Sequence, residues 1–533
     1  MFRRRELLKY ALAGLAVPAL DVFADMSEVL GQTNEPDKPA TDTPTDPAPG
    51  NGAKGKPFGQ NSVADEARER AGKPFKASSA ELPDFFAKLE FDQFLDIKRK
   101  RESLIWADDN VGFAIEPLHR GSIFSGEMVL QIVENGSEKR LSYRREDYDF
   151  GKLKPPGEAA SLGFSGFRVL RTDGKGNREE VAVFQGACFY KAIAEHQMPG
   201  ITARALALRV GDPKGEEVPR LVSAWIEKPT RAKNALVVHA LLDSPSLSGA
   251  FRFTLRPGEA TIVDTECTLF TRVAIDHFGL GAMQATYLFG PMDRRRSEDI
   301  RPGVYEVSGL QMLSGRKEWI WRPISNRDTL QVSAFVDENP AGFGLLQRDR
   351  EFFRFLDDEQ FWHQRPSVWI EPIGEWGKGS VTLAEIPADS QLNQNIVAYF
   401  RPREPLAANS ETNFAYRQFW CWTPPERPNL AMTTTSRLGR AYGAPANSRR
   451  RRVLVEFTGD IFGEDKPQDE IRPRASCYSG TITSVRTTLI KERKTMRVQF
   501  EFDPGQSNQS ELRLDLALRD TAVTETWLYR WTA

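Results

Sequence analysis

The chain has 533 residues and 40% of them are hydrophobic, enough for roughly two to four domains with large cores. Its 72 basic and 73 acidic residues leave a formal charge of −1. Without the basic excess that phosphate neutralisation demands, nucleic acid is excluded as the main partner. The 4 cysteines and 5 histidines are scattered. No HExxH, paired CxxC or GxxxxGK[ST] pattern occurs, which argues against a zinc, thioredoxin-type or P-loop site, and no cofactor is expected.

At the N-terminus, Arg3-Arg4-Arg5-Glu6-Leu7-Leu8-Lys9 precedes a short apolar run from Tyr10 to Leu20, followed by Val22-Phe23-Ala24. The run is too short to span a bilayer. The layout is that of an export signal over residues 1–24. Arg4-Arg5-Glu6-Leu7-Leu8-Lys9 is in register with the twin-arginine pattern R-R-x-Φ-Φ-K, where Φ is apolar; an ordinary secretion leader is the alternative. The twin-arginine reading predicts a periplasmic protein. That compartment is oxidising, but nothing assigns partners among Cys188, Cys267, Cys421 and Cys477. No later run reaches spanning length, so the mature chain is expected to carry no membrane span.

Residues 25–75 are expected to form a disordered tether, because Gly31–Gln60 is rich in Pro, Thr, Asp and Gly. Asn61–Lys73 reads either as a short charged helix or as more tether. One or two short helices are expected between Glu81 and Arg101. From Leu104 onward alternating apolar runs recur between Gly, Pro and Asn/Asp turns, among them Arg220–Glu227, Ala235–Leu242, Gly249–Leu255 and Ala260–Val273. No rhythm of long amphipathic helices accompanies them, so the chain is read as all-β, with a large antiparallel sandwich over residues 76–421.

Three β-type runs then crowd together between Trp362 and Phe400: Ser367–Glu371, Ser380–Ile386 and Ile396–Phe400. Ser367, Trp369 and Glu371 share one strand face. Indoles beside carboxylates suit a polyhydroxylated ligand, the ring taking a sugar's C–H face and the carboxylates its hydroxyls. The plainer reading makes Trp362, Trp369 and Trp376 core residues and Arg365 a buried ion-pair partner of Glu371 or Glu385. Trp422-Thr423-Pro424-Pro425-Glu426-Arg427-Pro428 signals a stiff linker over residues 422–432. About six or seven short strands after it suit an immunoglobulin-like sandwich over 433–533. The Arg449-Arg450-Arg451-Arg452 run reads as a solvated loop entering a strand, or as a groove contact.

Several stretches resemble the glucans biosynthesis protein G and D family of proteobacteria: Leu162-Gly163-Phe164-Ser165-Gly166-Phe167-Arg168, Phe343-Gly344-Leu345-Leu346-Gln347-Arg348-Asp349-Arg350, Arg365-Pro366-Ser367-Val368-Trp369-Ile370-Glu371-Pro372, Trp376-Gly377-Lys378-Gly379 and Asn395-Ile396-Val397. Together they are specific, and the leader is similar to that of the protein D branch. The resemblance implies a galactose-mutarotase-like sandwich followed by an immunoglobulin-like domain. It also implies a part in making osmoregulated periplasmic glucans, which are β-1,2-linked glucose polymers, and a homodimer. The family includes inverting β-1,2-glucanases and transglycosylases.

Carried over residue by residue, the resemblance puts Trp362 and Arg365 in the cleft and Gln391 where active members carry a Glu; Trp369, Glu371 and Trp376 are further substrate-binding candidates from the aromatic–carboxylate pattern itself. The base side falls on the run Tyr305-Glu306-Val307-Ser308-Gly309-Leu310: if the first Asp of the family's run is the one that matters, its match is Glu306, which keeps a carboxylate, and if the second, its match is Ser308 and the base is lost too. The acid position, however, reads Gln394, and an amide cannot donate the proton that a sugar leaving group needs. Three functions follow as expectations. The first is a periplasmic protein that binds β-1,2-glucan and controls its backbone structure. The second is an active hydrolase or transglycosylase using a substitute acid, with Glu371, Glu375 or Glu385 in range and Glu375 preferred. The third is an assembly factor for a membrane glucan synthase.

Overall fold

A computed structural model of the chain describes residues 56–77, 82–156, 162–173, 176–293, 298–463 and 468–533. The expected leader, and the tether as far as residue 55, lie outside the described residues. The fold is all-β. Two large sheets, of 16 and 10 strands, lie face to face. The centre of the larger sheet is an antiparallel run through Leu236–Asp243, Leu247–Arg256, Thr261–Thr271, Glu411–Cys421, Ser367–Ile373 and Gly342–Leu346. The smaller sheet runs from Gln331–Glu338 through Lys378–Glu385, Ile396–Pro402 and Phe278–Ala285, then through Thr202–Arg204, Phe189–Ala192, Arg178–Gln185 and Gly166–Thr172 to Phe113–Leu118.

Alternation explains which side chains meet. In Thr261–Thr271, Val263, Cys267 and Leu269 turn into the core, while Asp264, Glu266 and Thr268 turn outward. Rings from the two sheets join at the centre: Phe184 and Tyr190 of the smaller sheet lie 5.3 and 5.1 Å from Phe253 of the larger, a spacing that adds directional stacking to the burial. Cys188, Cys267 and Cys421 are buried, Cys477 is half-buried, and all four are free thiols.

The C-terminal part is a smaller sandwich. A four-stranded sheet of Met432–Arg440, Arg451–Thr458, Thr495–Asp503 and Thr481–Ile490 packs on Ile471–Cys477, Gln509–Leu518 and Thr526–Thr532 through Val453, Phe457, Phe500, Leu514 and Trp527. This second set of strands continues the larger sheet, because Trp319–Pro323 pairs in parallel with Thr526–Thr532. Buried Glu525 accepts from Arg348 at 2.6 and 3.0 Å across the same seam. The two sandwiches therefore share a sheet as well as the proline-rich connection.

The tether expected as far as residue 75 is structured from Lys56. Lys56–Pro57 pairs with Ser137–Arg140. Ser62–Ala71 is a helix on the outer face of the larger sheet. It buries only Val63 and Ala67, one turn apart, against Trp225, Leu241 and Phe270. Ala64 and Ala71 pack partly buried against the same cluster, and the helix also carries five charged residues, with Arg70 bonded to Asp243 at 3.2 Å. Of the two readings left open for Asn61–Lys73, the helix is the one formed, docked by a short stripe of small apolar residues.

Candidate functional site

Register lines up one cross-strand row in which polar side chains are interspersed with apolar ones. Glu116, Arg168, Val183 and Lys191 lie in a cross-strand row of the smaller sheet. Thr202, Gln284, Val397 and Ala384 lie in its continuation. Neighbouring Tyr190 points the other way, into the larger sheet, donating to Gln418 Oε1 at 2.6 Å. Strand alternation therefore turns Lys191 and Gln284 to the outer face.

Three loops converge on that face. The first carries Glu306, whose Oε2 accepts from the Thr286 backbone N–H at 2.9 Å. The second is a tight turn in which Phe361, at φ 48°, leads into the 3₁₀ turn Trp362–Gln364 and then Arg365. A left-handed aromatic residue is strained, and here it aims the next side chain inward. The third runs to Gln394 and Asn395. Asn395 accepts from the Tyr287 backbone N–H at 2.9 Å and donates to the Ile386 carbonyl at 2.9 Å. That closes the loop before the strand Ile396–Pro402 starts.

The centre is a buried ion pair, Arg365 Nη1 donating to Glu306 Oε1. The Arg365 guanidinium lies 3.9 Å from the Trp362 ring centroid and donates from Nη2 to Gln360 Oε1 at 2.8 Å. Trp362 is fixed in turn by donating to Asp357 at 2.8 Å. Burial lowers the Arg365 pKa, and Glu306 opposes that pull. The other carboxylate oxygen of Glu306 faces Gln394, whose Nε2 approaches to 3.4 Å. Gln394 Oε1 accepts from Gln284 Nε2 at 2.9 Å, and Gln284 Oε1 accepts from Arg204 at 2.7 Å. A chain of buried side chains thus runs Glu306, Gln394, Gln284, Arg204. The Gln394 amide is used at both ends, as a donor to a carboxylate and as an acceptor from an amide, a double role that an ionised acid cannot fill.

Beside this centre lies a groove of about 740 Å³ whose lining includes Arg168, Arg171, Glu180, Lys191 and Gln197. Its rim is tied to the Trp362 turn by the Met198 backbone N–H donating to the Gln364 carbonyl at 3.1 Å. Burial lowers the Lys191 pKa to about 8, with Glu180 opposing and Arg168 and Arg365 reinforcing. Several buried polar atoms have no hydrogen-bond partner among the described residues: both amide atoms of Gln197 in the groove, Gln360 Nε2 and His363 Nδ1 beside Arg365 in the Trp362 turn, and Gln391 Oε1 in the loop before Gln394. Leaving one such group unmatched costs roughly 1–3 kcal/mol. Any hydroxyl, of water or of a ligand, can complete them.

Glu306, Gln394, Arg365 and Trp362 are brought together, and Gln391 lies three residues before Gln394 in the same loop. The other candidates are placed elsewhere. Trp369 is fully buried on the far face of the larger sheet, stacked on Trp319 at 5.8 Å. Glu371 shares that face, accepts from the Trp369 indole at 3.2 Å and is opposite Arg417; burial raises its pKa. Trp376 is core, against Phe343, Phe400 and Tyr416. Glu375 is exposed in the preceding turn, on a separate groove that Phe58 and His239 also line. Glu385 is buried and bound by Arg322 at 2.9 Å and by Ser325 N–H at 2.7 Å. Lys191, Gln284, Gln360 and Gln197 carry no motif in the sequence; only their place in the register and the loops reveals them.

No group of His, Cys, Asp or Glu among the described residues is arranged to hold a metal, and no helix there is long and apolar enough to cross a membrane. A double β-sandwich with a buried carboxylate–guanidinium pair beside a polar groove is the class the geometry defines. The chain belongs to the periplasmic glucan biosynthesis protein family, whose model, described as "Periplasmic glucan biosynthesis protein, MdoG", matches residues 58–531. Glucans biosynthesis protein G of Vibrio cholerae serotype O1 is 39% identical over 477 residues, covering 89% of this chain and 87% of the relative. The protein of the same name from Shewanella sp. strain ANA-3 is 37% identical, covering 100% of this chain and 98% of the relative. Placement in the protein D branch rested on the leader, which lies outside the described residues. Among solved structures, a galactose mutarotase related enzyme from Lactobacillus acidophilus aligns at a TM-score of 0.21 and 9% identity, covering 46% of this chain and 98% of that one. Periplasmic glucan biosynthesis is the role that family membership carries.

Proposed function

We propose that the protein works in the periplasm, binds β-1,2-glucan along the groove beside Arg365 and Lys191, and shapes its backbone with little or no hydrolysis. One observation carries this reading: at the position expected to hold the acid, the Gln394 amide is hydrogen-bonded between Glu306 and Gln284. The 3.4 Å contact is a hydrogen-bonding distance. It is not the roughly 6.5–9.5 Å carboxyl separation that admits a water in an inverting pair. The substitute acids are committed elsewhere, Glu385 to Arg322 and Ser325, and Glu371 to the far face of the larger sheet. The unpaired amide atoms, both of Gln197, Gln360 Nε2 and Gln391 Oε1, offer what a sugar needs, donors and acceptors in a desolvated setting.

Calorimetric titration with linear β-1,2-glucan tests it. The wild type is expected to bind, and Gln360→Ala to bind roughly tenfold more weakly, the loss of a good polar contact. A β-1,4-glucan of equal length is expected not to compete. An absence of β-1,2-glucan binding by the folded wild type would overturn the proposal.

A further inference from the structure

A second cavity, of about 470 Å³, lies away from the Glu306–Arg365 pair and is enclosed mainly by apolar side chains, among them Phe75, Ile123, Met128, Val218, Leu221 and Pro245. Into it comes a cation, Arg220. The sequence makes room for its guanidinium with a glycine: a Cβ built on Gly126 would sit 1.3 Å from Arg220 Nη2. Burial lowers the Arg220 pKa, and no carboxylate opposes that shift.

Carboxylates line the same cavity, but each has another partner. Glu216 is bonded to Arg204. Glu217 is bonded to Arg209 at 3.1 Å and to the Ser246 hydroxyl at 2.6 Å. Glu127 faces Arg140 at 3.8 Å. Asp243, directly opposite Arg220 across the strand ladder, is held by Arg272 at 2.9 Å and Arg70 at 3.2 Å. Arg220 makes no ion pair or side-chain hydrogen bond with any described residue. The nearby charge of Arg120 adds to the positive field there, since each guanidinium disfavours the other.

We propose that this cavity binds an organic monocarboxylate with an apolar body, its carboxylate held by the Arg220 guanidinium. A half-buried charge without a protein counter-ion, facing a largely apolar cavity, gains from an anion that completes it. The planar fork of arginine matches a carboxylate in two parallel hydrogen bonds. The apolar walls demand a hydrophobic body, which a bare inorganic anion such as phosphate lacks.

Decanoate is the probe, titrated calorimetrically against the full mature chain, with decanol and acetate as controls. Saturable decanoate binding is expected. The affinity should fall at least roughly tenfold in Arg220→Met and in Gly126→Ala, which leaves the arginine in place but fills its cradle. Decanol, without the charge, and acetate, without the body, should each bind at least roughly tenfold more weakly than decanoate. Thermal melting checks folding, and Arg220→Met should melt no lower than the wild type because the lost charge has no partner to orphan. Failure of the wild type to bind decanoate would overturn the proposal, as would equal affinity for decanol or unchanged affinity in both variants.

Discussion

Replacing Gln394 by glutamate keeps the shape of the side chain and turns a donor into an acceptor. The new oxygen would stand where Nε2 stands, 3.4 Å from Glu306 Oε2. Two unit charges at that distance repel by about 5 kcal/mol at an effective dielectric constant of about 20. Arg365 already serves Glu306, so the repulsion is relieved by retaining a proton on the introduced carboxyl. Five kcal/mol is roughly three and a half pKa units, which carries an ordinary glutamate from about 4.3 to near 8. The folded-state value is then raised above the unfolded one. Stability is intact below about pH 4 and is lost as pH rises toward the folded value near 8. Urea unfolding of Gln394→Glu against wild type should show a deficit of about 1 kcal/mol at pH 5, about 4 at pH 7 and about 5 at pH 9. A deficit that does not change with pH would refute the reasoning, because it would mean that the two side chains do not share a buried site.

Gln394→Asp should introduce measurable β-1,2-glucan cleavage if Glu306 can direct a water, with product chains followed by chromatography; general acid catalysis contributes about 10²–10⁴-fold. Trp369→Ala should cost roughly 3–5 kcal/mol in chemical denaturation yet leave glucan affinity of the folded protein unchanged, because the indole packs on Trp319 behind the larger sheet. Arg365→Met should cost roughly 3–5 kcal/mol by leaving the buried Glu306 unpaired, and Arg365→Lys should not restore glucan binding, because the fork to Gln360 is lost. His119, buried among Phe86, Tyr143 and Tyr148, has its pKa lowered to about 4 by desolvation. Its folded value lies below the unfolded one, so its contribution is present above about pH 6.5 and is lost as pH falls toward 4. Between pH 7 and 5 the wild type should lose about 2 kcal/mol more than His119→Gln in matched urea titrations.

The regular half-buried strands were legible because their period is visible: Arg220–Glu227 forms as read, and the runs read as Ala235–Leu242 and Ala260–Val273 form Leu236–Asp243 and Thr261–Thr271. Phe278–Ala285 was not legible. Its sequence, FGLGAMQA, is buried along its whole length and contains two glycines, so it shows no alternation. It carries Gln284, and with it the link from Gln394 to Arg204 went unseen. The pairing of Glu306 with Arg365 and Gln394 spans 59 and 88 residues; no local pattern encodes it, and only the family resemblance pointed to those positions. The indoles misled for a physical reason. A tryptophan near a carboxylate looks the same in sequence whether its ring floors a groove or, like Trp376 against Tyr416, fills a core.

The most direct test of the account is a chain-length assay: purified mature protein incubated with linear β-1,2-glucan, with binding and product size followed in the same sample. The account predicts that glucan is bound and its length distribution persists, with short oligosaccharides released by Gln394→Asp alone. Rapid release by the wild type, abolished in Glu375→Gln and retained in Gln394→Ala, would contradict it.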